Sequence, residues 1–254
     1  MSTTIDLNAD LGEGFGPWRM GDDAAILDVV TSANVACGLH AGDPDIMVAT
    51  AEAARVRGVA LGAHPGFADL QGFGRRVVRM GERAIENLVA YQVGALQACA
   101  ALAGHRVTYV KAHGALNNLQ NAEAAVAAAV ARGVRGVDPR LVLVVMPGLP
   151  SERGALEAGL AVAREIFADR AYADDGQLAS RALPGAVIKD PEDAAIRVAA
   201  MVAEGAVTTV SGRRLPVQID TVCVHGDTPG AVATARAVRR ALEAAGHALR
   251  PFAP

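Results

Sequence analysis

The chain has 254 residues, of which 52% are hydrophobic and 4% aromatic, and its formal net charge at pH 7 is -3. This composition indicates a single domain with a large core, and the small negative charge gives no electrostatic reason to expect nucleic acid or a membrane surface as a partner. Three cysteines, Cys37, Cys99 and Cys223, lie far apart and outside any C-x-x-C pattern, so we expect reduced thiols and a cytoplasmic location.

Short β-type runs alternate with longer helix-type runs along the chain, which is typical of a parallel sheet with crossover helices. One closed β/α barrel spanning residues 1–254 is a common solution at a length of about 250 residues. The predicted strands are Thr4–Leu7, Ser32–Ala36, Val59–Gly62, Thr108–Lys111, Leu141–Met146, Ala163–Phe167 and Thr221–Val224.

Three helices are marked by a capping residue before a proline at the start and a glycine at the end. They are predicted over Asp43–Gly58, Asp190–Gly205 and Asp227–Gly246, the last with Asp227 or Thr228 as its N-cap. Asp43 and Asp190 are therefore interpreted as caps without a catalytic role. A hairpin is expected around Ser211 and Gly212, before the last strand.

Polar side chains follow most of the predicted strands, and four of the six histidines lie within a few residues of a strand's carboxyl end. The loops at that end of a closed barrel converge on one cavity, so we expect a shared site there. The candidates for its inner cluster are Asp10, His40, His64 and His113. Further catalytic candidates around it are Lys111, Glu165, His225 and Asp227, the last of which is equally well a helix cap, and Asn8 is a candidate for binding substrate. Any one histidine alone has a structural interpretation, and Cys37 and Cys223 are interpreted as core residues rather than nucleophiles.

The segment LNADLGEGFG, Leu7–Gly16, has the glycines of a phosphate-binding loop but not the spacing. A dinucleotide loop opens directly into a helix, whereas here a helix can start only near Asp22. The carboxylates of Asp10 and Glu13 would also face any phosphate. We therefore interpret the glycines as a tight turn at the end of the first strand, with Glu13 either in the pocket or on the loop surface.

Six long motifs together resemble the LamB/YcsF family. They are DLNADLGEGFG, SANVACGLHAGDP, GAHPGFADLQGFGRR, VKAHGALNN, IFADRAY with DGQLASR, and CVHGDTPGA, spread from residue 6 to residue 231. The resemblance implies a distorted seven-stranded β/α barrel similar to that of the polysaccharide deacetylases. Ala112 and Asn117 stand where the family has proline and usually tyrosine, and Phe67 and Ala68 stand where tyrosine and proline are usual, which puts local pocket shape in doubt.

The resemblance also implies an activity: the ATP-dependent opening of 5-oxo-L-proline (pyroglutamate) to L-glutamate, carried out with two partners, the B and C subunits of a 5-oxoprolinase complex. ATP would be a co-substrate of that complex. Since the chain has no recognisable nucleotide motif, we expect nucleotide binding to lie wholly or partly with the partners. Lys111, Arg75 and Arg181 are candidates for binding the substrate carboxylate or a phosphate. The general base is Asp10 or one of the histidines.

Two other functions stay open at this point. One aspartate and several histidines at strand ends form a plausible ligand set for Zn²⁺ or another divalent ion, although no local H-x-x-x-H spacing is present. The first alternative is therefore a metal-dependent amidohydrolase or carbohydrate deacetylase that acts without ATP. The second is a non-catalytic subunit that binds substrate.

Overall fold

The computed structural model describes residues 4–226 and 230–253. Its strands are β1 Thr4–Leu11, β2 Ser32–Ala36, β3 Ala60–His64, β4 Val107–Val110, β5 Val142–Val145, β6 Ala161–Phe167, β7 Ala206–Thr208, β8 Arg214–Pro216, β9 Thr221–Val224 and β10 Ala248–Leu249. Strands β1 to β6 and β9 are hydrogen-bonded in parallel in the order β1-β2-β3-β4-β5-β6-β9, and β9 pairs with β1. The predicted seven-stranded barrel is thereby confirmed.

The helices of the described residues connect and cover these strands. They are α1 Asp23–Leu27, α2 Pro44–Arg57, α3 Glu82–Leu102, α4 Gly114–Ala122, α5 Ala124–Val137, α6 Pro150–Glu157, α7 Pro191–Glu204 and α8 Ala231–Ala244. Apolar residues of β1 such as Leu7 and Leu11 are fully buried in the main hydrophobic core. None of the described helices is both long and apolar enough to cross a membrane.

The predicted caps of α2 and α7 are confirmed. Asp43 Oδ1 accepts a hydrogen bond from the Ile46 amide at 2.9 Å, and Asp190 caps α7 in the same way. Gly58 and Gly205 end the two helices with left-handed backbone angles (φ 67° and 58°). These ends were predictable because the bonds between a cap and its own helix turn are local in sequence.

The start predicted for α8 falls on residues 227–229, which lie outside the described residues. The described helix begins at Ala231 with Gly230 as its N-cap, and it ends two residues before Gly246, the predicted stop. The predicted hairpin around Ser211 and Gly212 is confirmed, since β7 and β8 pair in antiparallel fashion on either side of it.

Strand β6 begins two residues earlier than predicted, at Ala161, and two other strands of the barrel extend further at their carboxyl ends than predicted. Strand β1 continues to Leu11, so Asn8 and Asp10 lie within the strand and not after it, and β3 continues to His64. The reason is that the barrel interior is polar near this end, so polar residues extend the strands instead of ending them. Strand β10, which pairs with the first residues of β1, was not predicted.

The barrel is distorted where β3 meets β4. The register between these strands shifts at Leu61 and Gly62, and only two residue pairs join β4 to β5. A side chain at Gly62 would collide with the ring of Tyr109, which lies across the barrel interior. The ring of Phe252 packs edge-on against Tyr109 at 4.9 Å between ring centroids.

Candidate active site

The interior of the barrel holds a continuous network of buried polar side chains. Its members are Asp6, Asn8 and Asp10 of β1, Ser32 and Asn34 of β2, Tyr109 of β4, Glu165 of β6 and Thr221 of β9. Asn8 Nδ2 donates to Glu165 Oε1 at 3.0 Å and to Thr221 Oγ1 at 2.7 Å. Asn34 Nδ2 donates to Asn8 Oδ1 at 2.7 Å. The network therefore cross-links neighbouring strands beneath the carboxyl end of the barrel.

Lys111 is the buried cation of this network. Its Nζ lies 2.9 Å from Asp10 Oδ1, 3.0 Å from Glu165 Oε1, 3.3 Å from Asn8 Oδ1 and 2.9 Å from Cys223 Sγ. Burial lowers the pKa of Lys111, but its contacts with Asp10, Cys223 and Glu165 outweigh the burial and hold the pKa well above its usual range. Lys111 is therefore charged and committed to the protein's own acceptors.

Asp10 is the carboxylate that faces the cavity. Its Oδ1 accepts hydrogen bonds from Asn34 Nδ2 at 2.8 Å and from Lys111 Nζ at 2.9 Å, while Oδ2 lies 3.4 Å from His64 Nε2. Burial raises the pKa of Asp10, but His64 and Lys111 outweigh the burial and hold it well below its usual range. Asp10 is therefore ionised near neutral pH, with one oxygen held in place and the other directed to the histidines.

Three histidines and Glu13 form a compact cluster beside Asp10. Each of Glu13, His40, His64 and His113 offers one ligand atom within 4.8 Å of the others. The rings of His40 and His113 stack at 3.7 Å with an angle of 5° between their planes. Glu13 Oε1 lies 3.7 Å from His113 Nδ1 and 3.9 Å from His40 Nε2. Glu13, left between two interpretations by the sequence, thus lies in the pocket.

Two backbone carbonyls fix the orientation of His64 and His113. His64 Nδ1 lies 2.8 Å from the Lys111 carbonyl oxygen, and His113 Nε2 lies 2.8 Å from the Phe73 carbonyl oxygen. A carbonyl only accepts, so these two nitrogens carry the hydrogens. In neutral rings, His64 Nε2 and His113 Nδ1 then present lone pairs to each other, 3.0 Å apart. This contact requires a proton or a cation.

A divalent cation fits this donor set. Burial, and then the charge of His64, lowers the pKa of His113 to about 3, so its ring is neutral as a ligand must be. The Lys111 and Phe73 carbonyls hold the ligand rings from behind, as in known metal sites. Three imidazoles and one carboxylate suit Zn²⁺ and similar ions.

His40 is the least satisfied member of the cluster. It is fully buried, and neither ring nitrogen has a hydrogen-bond partner within the part of the chain that the structure describes. Burial, and then His113 and His64, lowers its pKa well below its usual range. Gly74, with φ at 61°, lets the chain pass so close that a side chain there would collide with His40 and His113. A buried ring held this tightly without a partner is consistent with a ligand.

His225 forms a separate pair with Asp169. Its Nδ1 lies 2.8 and 2.9 Å from the two oxygens of Asp169, and its ring stacks on Phe167 at 5.6 Å. Burial lowers the pKa of His225, but the charge and hydrogen bond of Asp169 outweigh it, so the pKa lies above its ordinary value. A ligand atom of His225 also lies within 4.8 Å of one of Asp10.

These groups open onto a cavity of about 430 Å³, within the range of small-molecule sites. Among the sequence candidates, its lining includes Asp10, His64, Lys111, His113, His225, Arg75 and Arg181. His40 lies directly behind His113. The structure therefore brings most of the predicted site residues together at one end of the barrel.

Two of the candidates have a different position from the one expected. Asn8 and Glu165 do not line the cavity, because their polar atoms bond to one another and to Lys111 inside the barrel. Asn8 is thus corrected from a substrate contact to a member of the interior network. Asp227 lies outside the described residues.

Sequence reasoning did not single out Asn34 and Arg170. Asn34 lies in a strand-type run, where a polar residue reads as an interruption of an apolar strand, and its role depends on Asn8 and Asp10 of the neighbouring strand. Arg170 follows Asp169 in the quoted motif IFADRAY, and that was the available signal. Of the positions that depart from the family pattern, Phe67 is fully buried and Asn117 lines the cavity.

Comparison with known proteins places these features in one family. The chain is 58% identical to the 5-oxoprolinase A subunit of Rhodopseudomonas palustris over 98% of each chain, and 57% identical to that of Azorhizobium caulinodans over 99% of each. The crystal structure of a lactam utilization protein from Thermus thermophilus superposes with a TM-score of 0.93 at 46% identity, covering 98% of this chain and 100% of that one. Polysaccharide deacetylases are also among the structural neighbours. The LamB/YcsF family matches residues 5–254, and the chain belongs to that family.

Proposed function

We propose that the protein is the A subunit of an ATP-dependent 5-oxoprolinase, which opens the lactam of 5-oxo-L-proline to give L-glutamate. The observation that carries the proposal is that one cavity is lined by both a potential general base and a potential general acid. Asp10 is a carboxylate whose pKa His64 and Lys111 hold well below its usual range against the effect of burial, and His225 is a histidine whose pKa Asp169 raises against the effect of burial. Relatives with more than half of their residues in common are A subunits of 5-oxoprolinase.

Opening a lactam needs a base for water and an acid for the departing nitrogen. We assign Asp10 Oδ2 as the base, because Oδ1 is already bonded to Asn34 and Lys111. We assign His225 as the proton donor to the ring nitrogen, with Asp169 holding its Nδ1. Water adds to the carbonyl carbon, the C–N bond breaks with its electron pair on nitrogen, and His225 supplies the proton.

The low pKa of Asp10 makes it a weak base, which has a consequence for the reaction. An amide is a poor electrophile, and a weak base cannot compensate for that alone. The amide itself therefore needs activation, and coupling to ATP would supply it. Lys111 supports this scheme by keeping Asp10 ionised rather than by contacting substrate.

For a divalent ion, we propose Glu13, His40, His64 and His113 as the ligands. When bound, the ion would polarise a carbonyl oxygen and acidify water. Elemental analysis of protein purified without added metal is the test, and we expect about one equivalent of a divalent ion that the His64→Ala variant loses. A wild-type protein that is metal-free and gains no thermal stability from added Zn²⁺ would contradict this ligand assignment.

We propose that ATP is used together with the partner B and C subunits, in the cytoplasm. The sequence carries no recognisable nucleotide-binding motif, and the relatives are named as subunits. The described cysteines are free, which agrees with a reducing compartment. If the isolated chain hydrolysed ATP in a 5-oxoproline-dependent manner, the assignment of ATP to the partners would be wrong.

The test of the whole proposal is reconstitution with candidate B and C subunits, with glutamate measured in the presence and absence of ATP. We expect ATP-dependent glutamate formation, a loss of at least about a hundredfold in the Asp10→Asn, His40→Ala and His64→Ala variants, and no loss in Glu52→Gln, an exposed residue on α2. No glutamate from an assembly whose partners are competent would overturn the proposal, as would near-full activity of all three site variants.

A second candidate follows from the histidine and glutamate cluster. A metal-dependent amidohydrolase on this barrel would use the same ligands and need no ATP. It predicts amide hydrolysis by the isolated chain that is lost on chelation and is unaffected by ATP. The same assay, run without partner subunits, separates the two functions.

A further inference from the structure

A second concave region lies outside the candidate active site, between helices α1 and α2. This groove encloses about 890 Å³, against about 430 Å³ for the cavity of the candidate site. Residues of the segment 14–21, which follows β1, form one edge of the groove. Its apolar lining includes Met20, Leu27, Ile46, Ala49 and Ala53. The groove is therefore large enough, and apolar enough, to receive several side chains of another molecule.

The same segment presents Trp18, the chain's only tryptophan, to solvent beside the groove. Trp18 is 66% exposed, and its ring stacks on that of Phe15 with 6.3 Å between the centroids. The turn is closed by two hydrogen bonds, because the amides of Phe15 and Trp18 each donate to the other's carbonyl at 3.0 Å. Large apolar side chains that an ordered backbone holds in solvent are typical of the anchors of protein–protein interfaces.

The charged residues of the groove are mostly acidic. Four carboxylates and one guanidinium line it, those of Asp22, Asp23, Asp43, Asp45 and Arg19. The side chains of Asp22 and Asp43 accept hydrogen bonds from neutral backbone amides at the starts of α1 and α2. None of the four carboxylates forms an ion pair within residues 4–226 and 230–253. The groove therefore has an excess of negative charge, which is complementary to a basic partner.

The groove is continuous with the loop that carries Glu13 into the histidine cluster. Asp23 Oδ2 accepts a hydrogen bond from the Gly12 amide at 2.9 Å, and Asp43 Oδ2 accepts one from the Gly16 amide at 2.7 Å. Two carboxylates of the groove thus hold the backbone on both sides of Glu13. A molecule seated in the groove would contact the same residues that position Glu13 beside the histidines.

We propose that this groove, together with the neighbouring Trp18, is the docking surface for a partner subunit. The segment that it receives carries apolar side chains flanked by lysine or arginine, which match the apolar lining and the carboxylates. A second copy of this chain does not fit, because a two-fold contact would bring the acidic groove against itself. The inference rests on the proposed function, in which the chain works with partner subunits, and adds the surface that one of them contacts.

The single tryptophan allows a direct test. When the chain is labelled with 5-fluorotryptophan, its one ¹⁹F resonance comes from Trp18, and unlabelled candidate B and C subunits add no signal. We expect this resonance to shift or broaden when the docking partner is added, and the dissociation constant to rise with ionic strength.

Two pairs of variants separate the groove from the rest of the surface, with dissociation constants measured by sedimentation. We expect at least tenfold weaker binding in Trp18→Ala and in Asp45→Lys, an exposed position in the first turn of α2. The controls are Tyr91→Ala on α3 and Glu157→Lys on α6, both exposed and outside the groove, and they should bind as the wild type does. Circular dichroism establishes that each variant is folded.

A complex that forms while the Trp18 resonance keeps its position and width would overturn the inference, as would wild-type affinity in both groove variants. A resonance that changes with the concentration of this chain alone would assign the groove to a second copy and overturn it too. Because these measurements need neither ATP nor turnover, assembly through the groove without glutamate formation would count against the proposed function alone. Glutamate formation by a complex whose assembly is independent of Trp18 and Asp45 would count against the docking surface alone, and absence of any complex would contradict both.

Discussion

Single residues at the site act through the groups behind them. The Lys111 residue serves twice: its carbonyl orients His64, and its ammonium keeps Asp10 ionised. Asp169 does the corresponding work for His225, which lies close to Asp10. The pKa values of Asp10 and His225 thus depend on partners from other strands or loops, and removing a partner shifts the pKa without removing the group itself.

The Asp169→Asn variant tests this dependence at His225. Asp169 raises the pKa of His225, with Asp10 adding to the effect and Lys111 opposing it. If protonated His225 is the proton donor, activity falls as the pH rises through its pKa, and a lower pKa moves this fall to lower pH. We expect the alkaline limb of the kcat/KM profile to move down by about one pH unit or more.

The control for this profile is Asp193→Asn, an exposed carboxylate in the first turn of α7. Its profile should coincide with that of the wild type. An alkaline limb that stays in place in Asp169→Asn, with only a uniform loss of rate, would show that His225 is not the titrating acid.

For single residues, the sequence identified those site residues that lie at the carboxyl ends of strands. His64, His113 and His225 were found because each lies at or just after the carboxyl end of a strand, and such positions in a barrel meet in space. Asn8 could not be assigned correctly, because whether it faces substrate or the barrel interior depends on Glu165 and Thr221, which are distant in sequence. Long-range partners decide this, and no local pattern reports them.

At the scale of elements, helix α2 shows how a cap joins a helix to the site loop. Asp43 Oδ1 caps the Ile46 amide, and its Oδ2 accepts from the Gly16 amide at 2.7 Å. The loop that carries Glu13 is therefore bonded to the start of α2. The sequence predicted the cap, since it is local, but not the second bond, which spans 27 residues.

We expect Asp43→Ala to lower the free energy of unfolding by about 1 kcal/mol or somewhat more, because both bonds are lost. Urea denaturation measures this, with Glu52→Ala on the exposed face of the same helix as the control. The control should change stability by only a few tenths of a kcal/mol. Equal stability of the two variants would mean that the cap contributes nothing measurable.

The ends of the helices and strands were likewise predictable where they depend on local interactions and not where they depend on residues distant in sequence. The helix ends at Gly58 and Gly205 were predictable from capping and glycine alone. The length of β1 was not, since Asn8 and Asp10 read as loop residues until their partners on β2, β6 and β9 are known. Polar strand interiors are stable only when the opposing strands supply matching polar groups.

At the scale of the whole molecule, the barrel is organised around a polar centre enclosed by an apolar shell. Asp6 accepts from Thr31, Ser32 and Thr221, and Asn8 links the same region to Lys111. These bonds exist together only when the last barrel strand pairs with the first. The single-domain organisation over residues 1–254 stays a prediction, and this closure is the physical argument in its favour.

Lys111→Met tests how far stability depends on this centre. The change removes the buried ammonium at little cost in volume and leaves the carboxylates of Asp10 and Glu165 close together without their cation. Breaking a buried ion pair by removing one partner costs about 3–5 kcal/mol, and we expect a loss of that size in urea denaturation at pH 7. The matched control is Lys189→Met, at the chain's only other lysine, which is exposed and makes no ion pair within the described residues, so it should change stability little.

The pH dependence of that loss identifies its cause. Without Lys111, the folded state favours ionised Asp10 less, so the pKa of Asp10 is higher than in the wild type. The folded variant then takes up a proton at Asp10 more readily than the folded wild type does, and its stability deficit relative to the wild type shrinks as the pH falls. A deficit that is equally large at pH 5 and pH 7 would attribute the loss to packing around the methionine instead of to uncompensated charge in the barrel.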